Sequence, residues 1–347
     1  MRALQYTTFG QPPEIVDVEK PVPGPGQVLV RVTAAGICHS DEFVMSLPEE
    51  VYRGAGYPLP LTLGHEGAGT VAELGEGVTE FAVGDAVAVY GPWGCGHCHR
   101  CAEGKENYCA NATAEGIFPP GLGAPGAMAE YLLVDDPRHL IPLDGLDPVE
   151  NVSLTDAGLT PYHAIKQSAA KLGAGTYAVV IGVGGLGHVG VRILKAITGA
   201  TVIALDVSED KLALAKEVGA DHTLLSNEDA IAAVREITGG LGADAVFDFV
   251  GANPTMAMAT GMASVEADVT IVGIGGGTMQ LAFQQVPFDA AVRMPYWGSR
   301  AELMEVLDLA RRGQIGVEVE RFSLEDGPEA YRRLHEGSIR GRAVLVP

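Results

Sequence analysis

Short apolar runs separated by glycine and proline fill the first part of the chain, up to about residue 156. The runs QVLVRVTAAGI, GAGTVAELG, DAVAVY and AEYLLVD have the length and valine content that are typical of β-strands. Glycine and proline between the runs favour tight turns. The pattern predicts a compact, irregular β domain in this part of the chain.

Near residue 157 the pattern changes to apolar strands that alternate with amphipathic helices. YAVVIGV leads into GGLGHVGVRILKAIT, and TVIALD leads into SEDKLALAKEVG; AVFDFVG and VTIVGIG follow, with helical patterns between them. Continuous apolar strands that alternate with helices predict a parallel sheet whose two faces are both covered. Residues 157–291 are therefore expected to form a doubly wound α/β domain.

The remaining segment, 292–347, carries two helical patterns, RAELMEVLDLARRG and EDGPEAYRRLHEG, before a last strand, RAVLVP. We expect this segment to return to the first domain. The predicted organisation is therefore one domain built from 1–156 and 292–347, and a second built from 157–291.

The composition excludes several classes of function. With 347 residues, 47% hydrophobic and 19% charged, the chain is predicted to build sizeable cores rather than to be disordered. A net charge of −21 makes nucleic acid and anionic lipid poor partners, because the surface repels phosphates. The stretch MRALQYTTFG lacks a signal-peptide pattern, and no apolar run approaches the roughly 20 residues of a membrane span. The cytoplasm is the expected compartment.

A glycine-rich turn follows the first strand of the second domain. Its G-x-G-x-x-G pattern stands between an apolar strand and a helix, which is the context of a pyrophosphate-binding loop. Asp206, at the end of the next strand, can accept hydrogen bonds from both ribose hydroxyls and would repel a 2′-phosphate, which favours NAD over NADP. The alternative is a structural glycine turn followed by a helix-capping aspartate. The predicted loop residues are Gly182, Gly184, Gly185, Leu186 and Gly187.

Four of the five cysteines lie in one loop, GPWGCGHCHRCAEGKENYC. In a reducing compartment such short spacing favours a metal over disulfides. Four thiolates suit a closed tetrahedral zinc with a structural role; an iron–sulfur cluster or redox disulfides are the alternatives. His97 and His99, inside the loop, are expected to be simply exposed. The predicted ligands are Cys95, Cys98, Cys101 and Cys109.

The fifth cysteine, Cys38, stands in GICHSDEF, and LTLGHEGAGT supplies His65 and Glu66. A buried cysteine is more often a small hydrophobic residue than a ligand. One thiolate, one imidazole and one carboxylate, however, suit a catalytic zinc with an open fourth position. Asp156, at the boundary between the predicted domains, is the candidate carboxylate. Spacing alone leaves both interpretations open.

These motifs together resemble a known family. GHEGAGTVAELGEGV, the four-cysteine loop, GVGGLG and the late GR occur in the order found in the zinc-dependent medium-chain alcohol dehydrogenases, and the match runs from the first strand to RAVLVP. The bacterial NAD-dependent secondary-alcohol dehydrogenases are the most similar group. The resemblance implies a GroES-like, β-rich catalytic domain, a Rossmann domain that binds NAD, and a homotetramer, with a dimer as the alternative.

The resemblance also assigns roles around a catalytic zinc. Glu66 matches a glutamate that approaches the metal during ligand exchange, Ser40 matches the hydroxyl that takes the alcohol proton, and Asp41 matches a carboxylate that orients a ligand imidazole. Many members carry aspartate or cysteine at the third ligand position. The implied ligands of the catalytic zinc are Cys38, His65 and Asp156.

On the cofactor side the resemblance adds contacts to both ends of NAD. For Lys211 the alternative is a solvated helix charge, and for Arg342 it is a surface pair with Arg340. The implied cofactor contacts outside the glycine loop are His39, Thr160, Asp206, Lys211, Val250, Val272, Ile274 and Arg342.

One position departs from the family pattern. Phe43 stands where many members have a histidine that passes protons to solvent, so the proton must leave by another route. We expect Phe43 to shape the substrate pocket, with Tyr296 and Trp297 forming another wall; ordinary core packing is the alternative for these aromatic residues.

The expected activity is reversible hydride transfer between an alcohol, preferably secondary, and NAD, with two zinc ions per chain, one catalytic and one structural. A polyol dehydrogenase of the same superfamily differs only in the pocket. A metal-independent quinone or enone reductase and a non-catalytic NAD-binding redox sensor are the further alternatives.

Overall fold

The computed structural model describes residues 1–347. Backbone contacts group the chain into two compact units. Unit 1 comprises Met1–Asp156, Ser299–Arg311 and Val317–Pro347, and unit 2 comprises Ala157–Gly298 and Arg312–Gly316.

The strands are, in chain order, β1 (Arg2–Tyr6), β2 (Glu14–Asp17), β3 (Val28–Gly36), β4 (Leu61–Thr62), β5 (Glu66–Leu74), β6 (Ala86–Val89), β7 (Tyr131–Val134), β8 (Leu140–Pro142), β9 (Tyr177–Ile181), β10 (Thr201–Asp206), β11 (His222–Leu225), β12 (Ala243–Asp248), β13 (Ala263–Ile271), β14 (Ala291–Arg293), β15 (Val319–Ser323) and β16 (Arg342–Val346).

The α-helices are α1 (His39–Ser46), α2 (Glu49–Gly54), α3 (His99–Ala102), α4 (Ala112–Glu115), α5 (Pro148–Asn151), α6 (Leu159–Lys166), α7 (Gly187–Ile197), α8 (Glu209–Glu217), α9 (Ala230–Ile237), α10 (Asn253–Met262), α11 (Arg300–Arg311) and α12 (Gly327–His335). Short 3-10 turns cover Glu106–Tyr108, Pro137–His139, Val152–Thr155 and Ala169–Lys171.

Unit 1 is built on a seven-stranded sheet with the order β15-β16-β3-β5-β6-β8, in which β7 pairs with β3. The pairs of β3 with β5, β7 and β16 are antiparallel. Along β3, Val28, Val30 and Val32 point into one buried cluster while Arg31 is exposed, which is the alternation expected of a strand with one face on the core. Strands β2, β1 and β4 form a smaller antiparallel sheet.

Unit 2 contains a six-stranded sheet with the order β11-β10-β9-β12-β13-β14, and all of its pairs are parallel. Strand β9 is almost wholly buried, as its uninterrupted apolar sequence predicts. Helix α7 buries Val189, Ile193 and Leu194 on one side and exposes Lys195 on the other. Because the strands are parallel, their carboxyl ends lie along one edge of the sheet, and the glycine loop follows β9 at that edge.

The predicted α/β class, with one β-rich part and one doubly wound parallel sheet, is confirmed. The quoted runs all form the predicted elements; RAVLVP, for example, becomes β16, beside β3 of the first domain. Helix α1, directly after Cys38, carries no long apolar pattern and was not predicted. The boundaries of the predicted functional domains, 1–156 with 292–347 and 157–291, stay a prediction. None of the helices combines the length and the apolar character needed to cross a bilayer.

Candidate functional site

Three neighbouring strands of unit 1, β16, β3 and β5, bring reactive side chains together. Cys38 follows β3, His65 and Glu66 stand at the start of β5, and Arg342 begins β16. Gly36 lies opposite Glu66 in the antiparallel register. A Cβ atom at Gly36 would lie 1.7 Å from Glu66 Oε2, so the close approach of this carboxylate requires glycine.

Asp156 reaches the same place from a different part of the chain, after the 3-10 turn Val152–Thr155. Its Oδ2 atom lies 3.5 Å from Cys38 Sγ and 3.4 Å from His65 Nε2. One ligand atom from each of Cys38, His65, Glu66 and Asp156 lies within 4.8 Å of the others, and all four residues are buried. The structure therefore brings together the sulfur, nitrogen and carboxylate donors that the sequence predicted.

Asp41 fixes the orientation of the His65 ring. The two residues pair through Nδ1 and Oδ1 at 3.0 Å, and the backbone N–H of Cys38 donates to Oδ2 at 3.0 Å. Nε2 is thereby directed at Asp156. Burial by itself would lower the pKa of His65, but Asp41 and Asp156 outweigh it and raise the pKa well above its ordinary value. The surroundings thus favour a positive charge between the imidazole and the carboxylate.

Glu66 and Arg342 form a second buried pair at this site. Arg342 Nη2 donates to Glu66 Oε1, and the side chains are 2% and 0% exposed. Burial raises the pKa of Glu66 to about 7, with Asp156 adding to the rise and Arg342 opposing it. The expected contact between Arg342 and a pyrophosphate stays a prediction; in the structure this guanidinium is directed at Glu66.

A divalent metal fits this donor set. The carboxylates of Asp41, Glu66 and Asp156 are buried together, and the arginine that faces them supplies one positive charge. Burial of uncompensated carboxylates is costly, so an additional cation is electrostatically favoured. One thiolate, one imidazole and one carboxylate are a three-ligand set that suits zinc with an open position.

Ser40 lies on α1 next to the buried donors, with its Oγ 3.7 Å from Cys38 Sγ. Phe43, one turn further along the same helix, has 48% of its surface exposed and does not belong to the core. The proton-accepting role that the resemblance implies for Ser40 stays a prediction.

Tyr331, on α12, was not found from the sequence. Its hydroxyl lies 3.3 Å from Met128 Sδ. Burial raises the pKa of Tyr331 well above its ordinary value, and the neighbouring carboxylate of Asp41 adds to the rise. Tyr331 lies 290 positions after Asp41 in the sequence, so no local pattern connects the two residues. Only the fold brings them close together.

Four thiols meet in the loop between β6 and β7. The distances between Sγ atoms are 3.9 Å for Cys95–Cys101, 3.5 Å for Cys98–Cys101 and 3.9 Å for Cys98–Cys109. All of these cysteines are free. Four sulfurs at about 2.3 Å from a tetrahedral zinc are separated by about 3.8 Å, so the cluster fits that ion closely.

Backbone N–H groups point at these sulfurs. Cys98 N–H donates to Cys95 Sγ at 3.3 Å, and Cys95 N–H donates to Cys109 Sγ at 3.3 Å. Hydrogen bonds from the backbone of Cys101 and Ala110 lower the pKa of Cys98 to about 6, whereas burial raises the pKa of Cys101. Donors aimed at sulfur favour the thiolate form that binds metal.

A charged network anchors this loop to the sheet. Glu106 Oε2 accepts from Gly94 N–H at 3.1 Å and lies 2.9 Å from His139 Nε2, and Arg138 Nε donates to it at 3.3 Å. The other ring nitrogen of His139 lies 2.7 Å from Asp135. Burial would lower the pKa of His139, but Asp135 and Glu106 raise it. Glu106 and His139 are 33 positions apart, and sequence spacing missed this network.

The glycine loop of unit 2 has the geometry of an anion-binding turn. Gly182 has φ +86°, and a Cβ there would lie 2.6 Å from Val250 Cγ2; a Cβ at Gly187 would lie 1.9 Å from the Gly182 carbonyl oxygen. Helix α7 begins at Gly187. Asp206 accepts the N–H groups of Val183 and Ser208 at 2.7 and 3.0 Å. A pyrophosphate and an adenosine ribose fit this arrangement.

Comparison with known proteins agrees with both halves of this picture. The family model for the alcohol dehydrogenase GroES-like domain matches residues 24–145, and the model for zinc-binding dehydrogenase matches residues 185–312. An NAD-dependent alcohol dehydrogenase of Sulfurisphaera tokodaii is 35% identical, with 100% of each chain covered. The chain belongs to the zinc-dependent medium-chain alcohol dehydrogenases.

Two further similar proteins differ from each other in the activity that their names give. The crystal structure of the alcohol dehydrogenase from Aeropyrum pernix has a TM-score of 0.92 and 35% identity, with 100% of each chain covered. A D-arabinose 1-dehydrogenase (NADP(+)) of Saccharolobus solfataricus is 34% identical, with 100% of this chain and 97% of the other covered. The family thus includes relatives with different substrates and different cofactors.

The remaining predicted contacts of this family member lie in either unit. In unit 1, His39 is exposed on α1. In unit 2, Thr160 is buried on α6 and Trp297 is buried beside Tyr296, which is 48% exposed, with their rings 6.0 Å apart. Their roles stay predictions. The other contacts predicted in unit 2 follow or flank the carboxyl ends of strands: Lys211, Val250, Val272 and Ile274.

Proposed function

We propose that this chain is an NAD-dependent, zinc-dependent oxidoreductase that transfers a hydride between an alcohol, preferably a secondary one, and the nicotinamide ring, with ketones or aldehydes as the products. The observation that carries the proposal is the buried set of Cys38, His65 and Asp156, in which Asp41 orients the imidazole. Three donors of this kind leave a position for substrate on zinc.

Cys38, His65 and Asp156 would hold the ion, and zinc would supply Lewis acidity toward the substrate oxygen. Asp41 keeps the His65 ring in place through Nδ1, so that Nε2 stays directed at the metal position. Ser40 Oγ accepts the hydroxyl proton of the alcohol and returns it in the reverse direction. Phe43 offers no onward proton acceptor, so another group would have to carry the proton away from Ser40, and the cofactor ribose would supply a hydroxyl for that role.

The cofactor is held by unit 2. The backbone N–H groups at the start of α7 would bind the pyrophosphate, and the glycines at 182 and 187 would allow its close approach. The Asp206 carboxylate would accept hydrogen bonds from the ribose hydroxyls, and its negative charge would disfavour the 2′-phosphate of NADP.

A substrate panel tests the proposal. Primary alcohols, secondary alcohols and polyols are each offered with NAD and with NADP, and kcat/KM is measured for every pair. The expected result is the highest kcat/KM with a secondary alcohol and NAD. No turnover with any alcohol would leave the redox-sensor alternative standing, and faster turnover with sorbitol than with any simple secondary alcohol would overturn the substrate class.

A polyol or sugar dehydrogenase is the second candidate. The D-arabinose 1-dehydrogenase of Saccharolobus solfataricus is nearly as similar to this chain as the alcohol dehydrogenases are. NADP, the cofactor of that enzyme, is disfavoured here by Asp206. The same panel separates the two candidates when D-arabinose and sorbitol are included.

The finer composition is also part of the proposal: two zinc ions per chain, one at Cys38, His65 and Asp156 and one at the four-cysteine loop, in a cytoplasmic homotetramer. The two donor clusters support the zinc count, and the family resemblance supports the assembly. Metal analysis of the purified protein and light scattering after size-exclusion chromatography measure both. One zinc per chain would contradict the proposed zinc count, and a dimer would contradict the proposed tetramer.

A further inference from the structure

A second group of potential ligands lies beside the four-cysteine loop, on its solvent side. Cys95, His97 and Glu115 each place one ligand atom within 4.8 Å of the others. The side chains of His97 and Glu115 are 66% and 40% exposed, whereas Cys101, deeper in the thiol cluster, is 9% exposed. Cys95 is common to both groups, so the exposed group is contiguous with the thiols.

The orientation of the His97 ring is set by the loop itself. Its Nδ1 lies 2.9 Å from the backbone carbonyl oxygen of Cys95, so Nδ1 carries the proton and donates to that oxygen. Nε2, on the other side of the ring, is then unprotonated and carries a lone pair. A histidine with one nitrogen bonded to a carbonyl presents the other nitrogen as a metal ligand.

Nε2 of His97 accepts from the Nδ2 group of Asn111 and also faces a carboxylate. Glu115 Oε1 lies 3.4 Å from it. The side-chain amide of Asn111 lies 3.2 Å from the same nitrogen and 3.6 Å from Cys95 Sγ, and so connects the histidine with the thiol. The imidazole nitrogen and the carboxylate oxygen both offer electron pairs, so a metal cation that displaces the Asn111 N–H from Nε2 can bind to both. Imidazole, thiolate and carboxylate are the ligands of zinc-class ions.

We propose that His97 and Glu115 form a capture site for a zinc-class divalent cation, which they pass to the four thiols through the shared ligand Cys95. The inference rests on the proposed structural zinc of the four-cysteine loop. An ion arriving from solvent meets the exposed imidazole and carboxylate first, and the buried sulfur of Cys101 completes its coordination last. His97 is a transient ligand in this scheme and is displaced as the thiolates close.

A transient ligand and a permanent ligand predict different effects on the rates of metal uptake and release. A group that assists entry also assists exit, because both directions follow the same path. Removing His97 should therefore slow uptake and slow release, with little change in the equilibrium affinity. Removal of a permanent ligand would instead speed release.

Cobalt(II) is the probe, because its bonds to thiolate give an absorption band that can be followed in time. The full-length protein is stripped of metal with a chelator and mixed with cobalt(II) in a stopped-flow instrument, and release is then started with excess EDTA. A Cys101→Ser variant identifies the part of the signal that comes from the four-cysteine loop.

The test variant is His97→Ala, and the matched control is His99→Ala. His99 lies in the same loop, is 82% exposed and pairs with Glu103 rather than with a thiol. Uptake and release should both slow by about tenfold in His97→Ala, which corresponds to about 1.4 kcal/mol of lost stabilisation of the transition state for metal transfer. His99→Ala should match the wild type. Glu115→Gln, which keeps the shape and removes the charge, should slow both steps to a smaller extent.

Equal rates in the wild type, His97→Ala and His99→Ala would overturn the capture site while leaving the structural zinc intact. Faster release from His97→Ala would also overturn it, since His97 would then be a permanent ligand. If the wild-type protein gave no thiolate band with cobalt, the proposed metal in the loop would itself fail, and the capture site with it.

Discussion

The two donor clusters of unit 1 differ in nearly every physical respect. Cys38, His65 and Asp156 come from distant parts of the chain, mix three kinds of donor atom and are buried with further carboxylates. The four-cysteine loop takes its sulfurs from one short segment, and backbone N–H groups donate to Cys109 Sγ and Cys95 Sγ. The first cluster is assembled by the sheet, and the second by the loop.

In the proposed function, this contrast would give two similar ions different tasks. Four sulfurs satisfy a tetrahedral ion completely, so an ion there would add stability to the loop and no reactivity. Three mixed donors leave a position unfilled, and the low-dielectric surroundings strengthen the effect of charge on anything bound there. Donor number and burial, rather than the presence of cysteine as such, separate a structural site from a reactive one.

The largest effect is expected from removing the carboxylate of the buried cluster. Asp156→Ala should lower kcat/KM for alcohol oxidation by on the order of 10³-fold, because Lewis-acid stabilisation worth several kcal/mol is weakened. NAD affinity, measured by fluorescence titration, should be unchanged. Asp17→Ala, an exposed carboxylate on β2, is the control. Full alcohol oxidation by metal-free Asp156→Ala protein would remove the basis of the comparison.

The corresponding substitution in the four-cysteine loop is Cys101→Ser. Cys101→Ser should lose the ion of the four-cysteine loop and keep the buried one, because Cys101 supplies a buried sulfur at the centre of the cluster. The apparent melting temperature should fall by roughly 5–10 °C, as expected for a loss of several kcal/mol in a chain of this size. Metal analysis and thermal unfolding measure the two effects. A variant that lost both ions would show that the clusters are not independent.

Asp41→Asn tests whether the residue that orients His65 affects only the buried cluster. The amide keeps a hydrogen-bonding group near His65 Nδ1 but removes the charge, so metal affinity at the buried cluster should fall by about 10–100-fold. Chelator competition measures the affinity, and occupancy of the four-cysteine loop in the same protein is the internal control. An equal loss at both clusters would indicate general unfolding instead.

The smallest effect concerns the anchor of the loop. His139→Gln should cost about 1–2 kcal/mol of stability, because charge-assisted hydrogen bonds to Glu106 and Asp135 are lost. The pKa of His139 is raised in the folded protein, so its contribution is complete below its unfolded pKa of about 6.5 and is lost as the pH rises through the folded value. Arg138, which shares Glu106, keeps its charge throughout.

The measurement is the difference in apparent melting temperature between the wild type and His139→Gln at about pH 6 and about pH 9. The difference should be larger at the lower pH. A difference that grows with pH would mean that His139 is neutral in the folded protein and that the network is held together in another way.

Much of the architecture could be predicted because it depends on local patterns. The apolar run before Gly182 identifies β9, and the alternation around Val30 identifies β3, since strand period and burial are written into neighbouring residues. The four-cysteine cluster was predicted for the same reason: its ligands lie within one loop. The glycine loop and Asp206 were found from their spacing along one strand–helix–strand unit.

The residues that support the sites could not be predicted in this way. Tyr331 near Asp41, and His139 beside Glu106, are brought together by strand order and by loops whose paths have no periodic signal. The convergence of Asp156 on Cys38 was anticipated through family resemblance rather than through spacing, which left it open. Such contacts depend on tertiary structure, and only the assembled sheet displays them.

The pairing of Glu66 with Arg342 has a consequence for how the protein is made. The two residues are 276 positions apart. At a synthesis rate of roughly 5–20 residues per second, Arg342 is added about 14–55 s after Glu66. Cys95 and Cys109, only 14 positions apart, emerge almost together. The four-cysteine loop can therefore form during translation, whereas the pairing of Glu66 with Arg342 beside the buried cluster can form only when the chain is nearly complete.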